Sequence, residues 1–289
     1  MNNFHKAILT ASAALTLFTS AARAEKTTAA EKLGWRLGVQ CWTFKAITFF
    51  ETVDKAQALG LKYVEMYPGQ KIKPAGNSKT GPDMTETEIT ELLAKLKSAG
   101  VKLVSFGVCP IPEDAAGARK RFEWAKKMGI EVLVTETTPN EMLDKLSGEF
   151  AIKIAIHNHP KTWPPEQVLQ ATKALSPRIG SCSDTGHWKR AGFDTVAMLK
   201  QLGSRVIHTH FKDVALTATG ESWQDAPWGT GQGNAAGMLN ELKHQGYQGY
   251  VMIEYEHGTV AELMVNLPKC IEYFNKTAVE LSQKATARH

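Results

Sequence analysis

The chain has 289 residues, 43% of them hydrophobic and 22% charged, with four cysteines and a formal charge of +5. That composition excludes a disordered or collagen-like chain and leaves room for a large core. Lysine and arginine are scattered among aspartate and glutamate, which excludes a basic stripe for nucleic acid, and the absence of a C-x-x-C pair excludes a zinc ribbon.

In chain order, the first segment is MNNFHKAILTASAALTLFTSAARAEK. It has a basic Lys6, an apolar run Ala7–Phe18, and Ala22-Arg23-Ala24 before Glu25. Those are the three parts of a secretory signal peptide. The apolar run is too short to span a bilayer as a mature helix. Residues 1–24 are therefore expected to be removed, and residues 25–289 to form the mature domain, exported to a bacterial periplasm. With no second long apolar run, the mature chain is expected to stay off the membrane. Cys41, Cys109, Cys182 and Cys270 read as buried free thiols.

The rest of the chain repeats one pattern: a short β-branched run ending in a polar residue, then a stretch of helical periodicity. The strand candidates are residues 36–42, 61–67, 101–107, 130–136, 153–159, 178–184, 205–211 and 250–256. Helical stretches separate them, and five of these stop at Gly60, Gly100, Gly129, Gly203 and Gly246, as helices commonly do. Strand–helix alternation implies parallel pairing through right-handed crossovers. Eight units in about 250 residues match the size of an α/β fold of the TIM-barrel, (β/α)8, kind, built as a single domain. A doubly wound open sheet lacks support, since no G-x-G-x-x-G follows the first strand. The longest loops follow the second and seventh strands, on the face where barrel enzymes work.

The strand ends carry the chemistry. The fourth strand ends in Glu136, the fifth in His157 and His159, and the sixth in Asp184 with His187 three residues on. The seventh bears His208 and His210, then Lys212 and Asp213. The eighth bears Glu254 and Glu256. Alternation puts Met252, Glu254 and Glu256 on the barrel axis, and His208 with His210 likewise. Inward carboxylates among apolar neighbours need a counter-charge. One divalent metal ion meets that need, and carboxylates with imidazoles suit Mn²⁺, Mg²⁺, Co²⁺ or Zn²⁺. The expected ligands are His157, Asp184, His210 and Glu254. His208 reads as a satisfied core histidine, and Asp213 as a loop cap or a site residue with even weight. Trp188, Trp223 and Trp228 fit packing or sugar stacking equally. GTGQGN, Gly229–Asn234, reads as a turn before an anion site.

These residues resemble the xylose isomerase-like TIM barrels, the sugar phosphate isomerase/epimerase family, over essentially the whole mature chain. The resemblance rests on LGVQCWTF, YVEMY, IHNH, DTGHW, HTHFKD and GYQGYVMIEYE. In that family Glu, Asp, His and Glu from strands 5 to 8 hold a divalent metal. The resemblance implies that Asp184, His210 and Glu254 are three of those ligands and that His187 binds substrate. Gln40 and Glu65, in the first two motifs, and Lys212 are expected to contact substrate with it. The fifth strand departs: the family commonly shows Glu-x-His there, and this chain has His157-Asn158-His159. His159 fits the family histidine, while His157 stands in the glutamate's place. In the epimerases that glutamate pairs with the strand-8 glutamate, here Glu254, to move protons on opposite faces of the sugar. Glu136 can supply the missing carboxylate as base or ligand.

The expected function is a divalent-metal-dependent sugar isomerase or epimerase. It would abstract a proton next to the carbonyl of a sugar or keto-sugar, with Glu136, His159, Glu254 or Glu256 moving the proton. The alternative is a lyase or dehydratase acting on 3-keto-glycosides or related keto-sugars. A DNA-repair enzyme of the endonuclease IV kind would need a basic groove, and a non-catalytic sugar binder does not need so many strand-end acids and imidazoles. A small sugar is the expected partner, with self-association left open.

Overall fold

The computed structural model describes residues 28–286. The signal peptide expected over 1–24 lies outside the described residues. Among those described, no helix is long and apolar enough to cross a membrane.

The barrel strands are β1 (Trp35–Gln40), β2 (Tyr63–Met66), β3 (Lys102–Phe106), β4 (Val132–Thr135), β5 (Lys153–His157), β6 (Ile179–Asp184), β7 (Val206–Phe211) and β10 (Gly249–Ile253). They close in the order β1-β10-β7-β6-β5-β4-β3-β2, every pair parallel. All eight expected strands are present, each within three residues of its expected ends. The fold is thus a single-domain TIM barrel.

Alternation along each strand sorts the side chains. Leu133, Ile154, Ile156, Val251 and Ile253 face the helices and join the main core. Their neighbours Val132, Val134, Ala155 and Cys182 form one separate cluster, and Val104, Tyr250 and Met252 another, both filling the barrel lumen. Above those apolar layers the same inward parity delivers Gln40, Glu65, His157, Asp184, His210 and Glu254. The register shifts between β6 and β7, where Ser181 pairs with Val206 but Cys182 with His208, and at a bulge on β3, where Val64 pairs with Leu103 but Glu65 with Ser105. The extra residue turns Ser105 toward the lumen, where it meets Glu65.

The crossover helices are α2 (Phe49–Ala58), α3 (Glu86–Ala99), α4 (Ala115–Lys127), α5 (Glu141–Phe150), α6 (Pro165–Thr172), α8 (Thr195–Leu202) and α9 (Ala235–His244), and α10 (Val260–Thr286) ends the barrel. Capping boxes open α2, through Thr48 and Glu51, and α3, through Thr85 and Glu88. The short α1 (Ala29–Lys32) and α7 (Thr185–Arg190), and a hairpin of β8 (Asp213–Leu216) with β9 (Trp223–Ala226), were not among the expected elements. The four cysteines are free and buried, as expected.

The two longest loops both lie at the strands' C-terminal ends. The one after β7 is organised by Asp213. Its Oδ2 accepts from the Gly229 and Gly231 amides at 2.9 and 3.0 Å, and its Oδ1 from the Gly233 amide at 2.8 Å. The glycine-rich GTGQGN stretch therefore cradles an anion, but that anion is the chain's own carboxylate. A Cβ on Gly231 would lie 2.4 Å from Asp213 Oδ1, so this close approach requires glycine. Asp213→Ala leaves three amides without their acceptor and is expected to cost about 1–3 kcal/mol. A lowered thermal midpoint with an intact far-UV spectrum is the outcome expected; an unchanged midpoint would show that the loop is held by other contacts.

Candidate active site

A pocket of about 360 Å³ opens at the C-terminal ends of the strands. Its walls include His157, His159, His187, Glu254 and Glu256 together with Gln40, Trp42, Tyr67 and Pro68.

Four residues converge at its floor. His157, Asp184, His210 and Glu254 are all buried, and one ligand atom from each lies within 4.8 Å of the others. His157 Nε2 is 3.5 Å from Asp184 Oδ2, and His210 Nδ1 is 3.3 Å from Glu254 Oε2. Asp184 Oδ2, His210 Nδ1 and Glu254 Oε2 lack a well-directed hydrogen bond among the described residues. Buried oxygens and a ring nitrogen aimed at one point fit a bound cation. Two nitrogens and two carboxylates are a donor set suited to a first-row divalent ion or magnesium.

Backbone contacts position these groups. Asp184 caps α7, its Oδ1 accepting from the His187 amide at 2.7 Å. Asn158 donates from Nδ2 to the Asp184 carbonyl at 3.0 Å and accepts from the Asp184 amide at 2.9 Å. The middle residue of IHNH thereby ties the end of β5 to the end of β6. Sequence reading named its two neighbours and passed over it; an amide between two ligand candidates was the only signal.

Lys212 runs into the same point. Its ammonium lies 2.7 Å from Glu254 Oε2, 2.9 Å from Asp184 Oδ2 and 3.3 Å from Glu256 Oε1. Gly186 makes room, since a Cβ there would lie 2.7 Å from the Lys212 stem. Burial alone would raise the Glu254 pKa; Lys212 and then His210 overcome it and hold the carboxyl at about 2. Asp184 is likewise held well below the usual carboxylate range, against burial, by Lys212 first. Burial pushes His187 down to about 4 despite Asp184, so its imidazole is neutral at pH 7.

The remaining expected residues fall in three places. His159 and Glu136 meet at the rim, His159 Nδ1 to Glu136 Oε1 at 2.8 Å, and Thr162 donates to the same oxygen at 2.7 Å. Glu256 is gripped by Arg190, whose other nitrogen bonds Asp225 of the hairpin, both at 2.8 Å. Gln40 lines the pocket, but its amide is engaged with Glu65, the Gly107 carbonyl and the Trp42 amide. Glu65, expected to contact substrate, does not line the pocket and is fully buried beneath it. Arg190 and Trp42 were not among the expected site residues. Trp42 is 40% exposed and stands edge-on to Tyr67, with ring centroids 5.0 Å apart. Of the tryptophans weighed for stacking, Trp188 and Trp228 are core residues.

A TIM barrel with its polar cluster at the strands' C-terminal ends is the architecture of a barrel enzyme. The family model for the xylose isomerase-like TIM barrel matches residues 53–276, and the chain belongs to that family. It is similar to an uncharacterised protein of Parabacteroides distasonis ATCC 8503, with 32% identity and a TM-score of 0.67 over 84% of this chain and 99% of that one. It shares its fold with a xylose isomerase-like TIM barrel protein from Mycobacterium smegmatis in complex with magnesium, at 14% identity and a TM-score of 0.68 over 88% of this chain and 99% of that one. The rhizopine catabolism protein MocC of Rhizobium meliloti is 31% identical over 123 residues, 37% of this chain. That match spans 38% of MocC.

Removing the Lys212 charge would leave Asp184 and Glu254 buried without their ammonium partner. Lys212→Met is expected to destabilise chelator-treated protein by about 3–5 kcal/mol. Denaturant unfolding measures this, and a loss under 1 kcal/mol (roughly the value of an exposed pair) would contradict a buried ionic centre.

Proposed function

We propose that this protein is a divalent-metal-dependent isomerase or epimerase that abstracts a proton next to the carbonyl of a sugar or keto-sugar. The observation that carries the reading is one pocket lined by His157 and Glu254 of the His157–Asp184–His210–Glu254 quartet and by His159, which is bound to Glu136. A divalent ion held by the quartet supplies Lewis-acid stabilisation for charge developing on the carbonyl oxygen. The metal reading draws on the donor set in the pocket; the magnesium complex of the Mycobacterium smegmatis barrel contributes the fold alone.

The chain's own groups divide the remaining work. Glu136 accepts from His159 Nδ1, which leaves the Nε2 lone pair of His159 as the base. Burial raises the Glu136 pKa, but the hydrogen bonds from His159 and Thr162 and the nearby imidazoles together lower it below its ordinary value, so the carboxyl stays ionised and stabilises the imidazolium. Neutral His187 and the aromatic wall of Trp42 and Tyr67 orient hydroxyls and ring face. Returning the proton to the neighbouring carbon completes an isomerisation.

The fifth strand favours a second reading, a lyase or dehydratase acting on 3-keto-glycosides or related keto-sugars. His157 replaces one of the two carboxylates that would flank the substrate, and Glu254 is ion-paired to Lys212. His159 is then an acid/base group open to the pocket and oriented by a partner. A single group on one flank suits β-elimination. His159 takes the proton next to the carbonyl, the β-oxygen bond breaks, and His159 hands that proton to the leaving oxygen.

Incubating the metal-loaded protein with keto-sugars and 3-keto-glycosides in D₂O separates these readings by NMR. Deuterium at the carbon next to the carbonyl without bond loss supports the isomerase, and release of an aglycone the lyase. Chelation should abolish either, and His159→Gln should lower the rate by about 10²–10⁴-fold. Neither product across a broad panel would sink proton abstraction.

The N-terminal motif supports export to a periplasm, where an unphosphorylated sugar is the expected substrate. Protein recovered from the periplasmic fraction should begin at Glu25; an intact Met1 would oppose cleavage.

A further inference from the structure

The expected substrate residue Glu65 has every oxygen position filled from within the protein. Its Oε1 accepts from Gln40 Nε2 at 2.9 Å and faces His210 Nε2 at 2.8 Å. Its Oε2 accepts from Ser105 Oγ at 2.8 Å and faces His208 Nε2 at 2.6 Å. Glu65, Ser105, His208 and His210 are all fully buried. The four partners come from β1, β3 and β7, so the contacts converge across the lumen on one side chain of β2.

An ionised carboxylate only accepts hydrogen bonds. Both imidazoles must therefore carry a hydrogen on Nε2, and a neutral His210 has its lone pair at Nδ1. That atom is the one facing Glu254 Oε2 at 3.3 Å. A ring flipped about Cβ–Cγ would put Cε1 in the place of Nε2 and Cδ2 in the place of Nδ1, losing the contacts to both Glu65 and Glu254. The other two donors to Glu65, Gln40 and Ser105, are also anchored. Gln40 donates to the Gly107 carbonyl as well, and Ser105 is turned inward by the β3 bulge. The carboxylate thus has one orientation, and so has the ring it holds.

We infer that Glu65 is a positioning residue that fixes the His210 tautomer and aims Nδ1, rather than Nε2, at the metal-holding quartet. His208 occupies the other oxygen and keeps the carboxylate from rotating away. This inference rests on the metal reading of the quartet, but the hydrogen it assigns to Nε2 is also a property of the metal-free protein, in which Nδ1 faces the Glu254 carboxylate and can carry a second one. Hydrogen-bonded carboxylates behind metal-binding histidines typically contribute about 10–100-fold in metal affinity.

The test uses the full mature chain with ¹⁵N-labelled histidine. In metal-free protein, His210 should show a protonated Nε2 in long-range ¹H–¹⁵N spectra, with or without a second hydrogen on the Nδ1 that faces Glu254. On addition of ¹¹³Cd²⁺, the coupling should appear at Nδ1. Glu65→Gln, whose amide can donate where the carboxylate accepts, should scramble this pattern and weaken Mn²⁺ or Zn²⁺ binding in chelator competition by about 10–100-fold. A His210 without a hydrogen on Nε2, metal coupling at Nε2, or a Glu65→Gln protein with unchanged ring protonation and affinity would overturn the inference. If the unmutated protein binds no divalent ion, the metal reading fails while the tautomer spectra still decide the role of Glu65. If Glu65→Gln does not fold, the spectra of the unmutated protein carry the decision alone.

Discussion

The Lys212 ammonium lies among three carboxylates that could not otherwise share a dry space. Asp184, Glu254 and Glu256 come from different points of the rim, and the first two are buried. Like charges at such separations repel, and each would rather bind a proton than stay ionised in an apolar surround. The lysine reverses that preference. Its stem reaches them because residue 186 has no side chain to block it. The rim can therefore collect acidic groups beside imidazoles, the combination that binds divalent ions.

The loops are arranged around the same centre. Arg190 joins Glu256 to Asp225, which ties the β8–β9 hairpin to the segment after β10. Asp213, one residue beyond Lys212, draws the glycine-rich stretch back over the strand end. Two neighbouring residues leaving β7 thus do different jobs. One neutralises the site and the other folds the loop beside it.

The histidines divide by depth. His208 and His210 are fully buried and bound to Glu65. His159 is exposed at the rim and bound to Glu136. His187 lies between, desolvated enough to stay neutral. The same side-chain type thereby serves as a lumen strut, a ligand candidate, a polar contact and, in the proposed reaction, a proton carrier. In that proposal the strand-5 imidazole in a glutamate's place shifts the acid/base burden to His159 and Glu136.

Much of this was legible in the sequence. Period-2 runs ending in polar residues, separated by helical stretches ending in glycine, determine the eight units. Alternation then determines that Glu254, His208 and His210 face inward, because successive strand residues must point to opposite sides. The His157, Asp184, His210 and Glu254 quartet follows from reading the strand ends in order. Asn158, Arg190, Trp42 and the burial of Glu65 did not follow, since each depends on partners from other strands or loops. Glu65 shows the reason most plainly. Its inward direction is a local property of β2, but whether it meets substrate or three other strands depends on barrel closure and one bulge on β3. Sequence pattern determined which residues turn inward; only the closed barrel decided how deep each one lies and what it meets there.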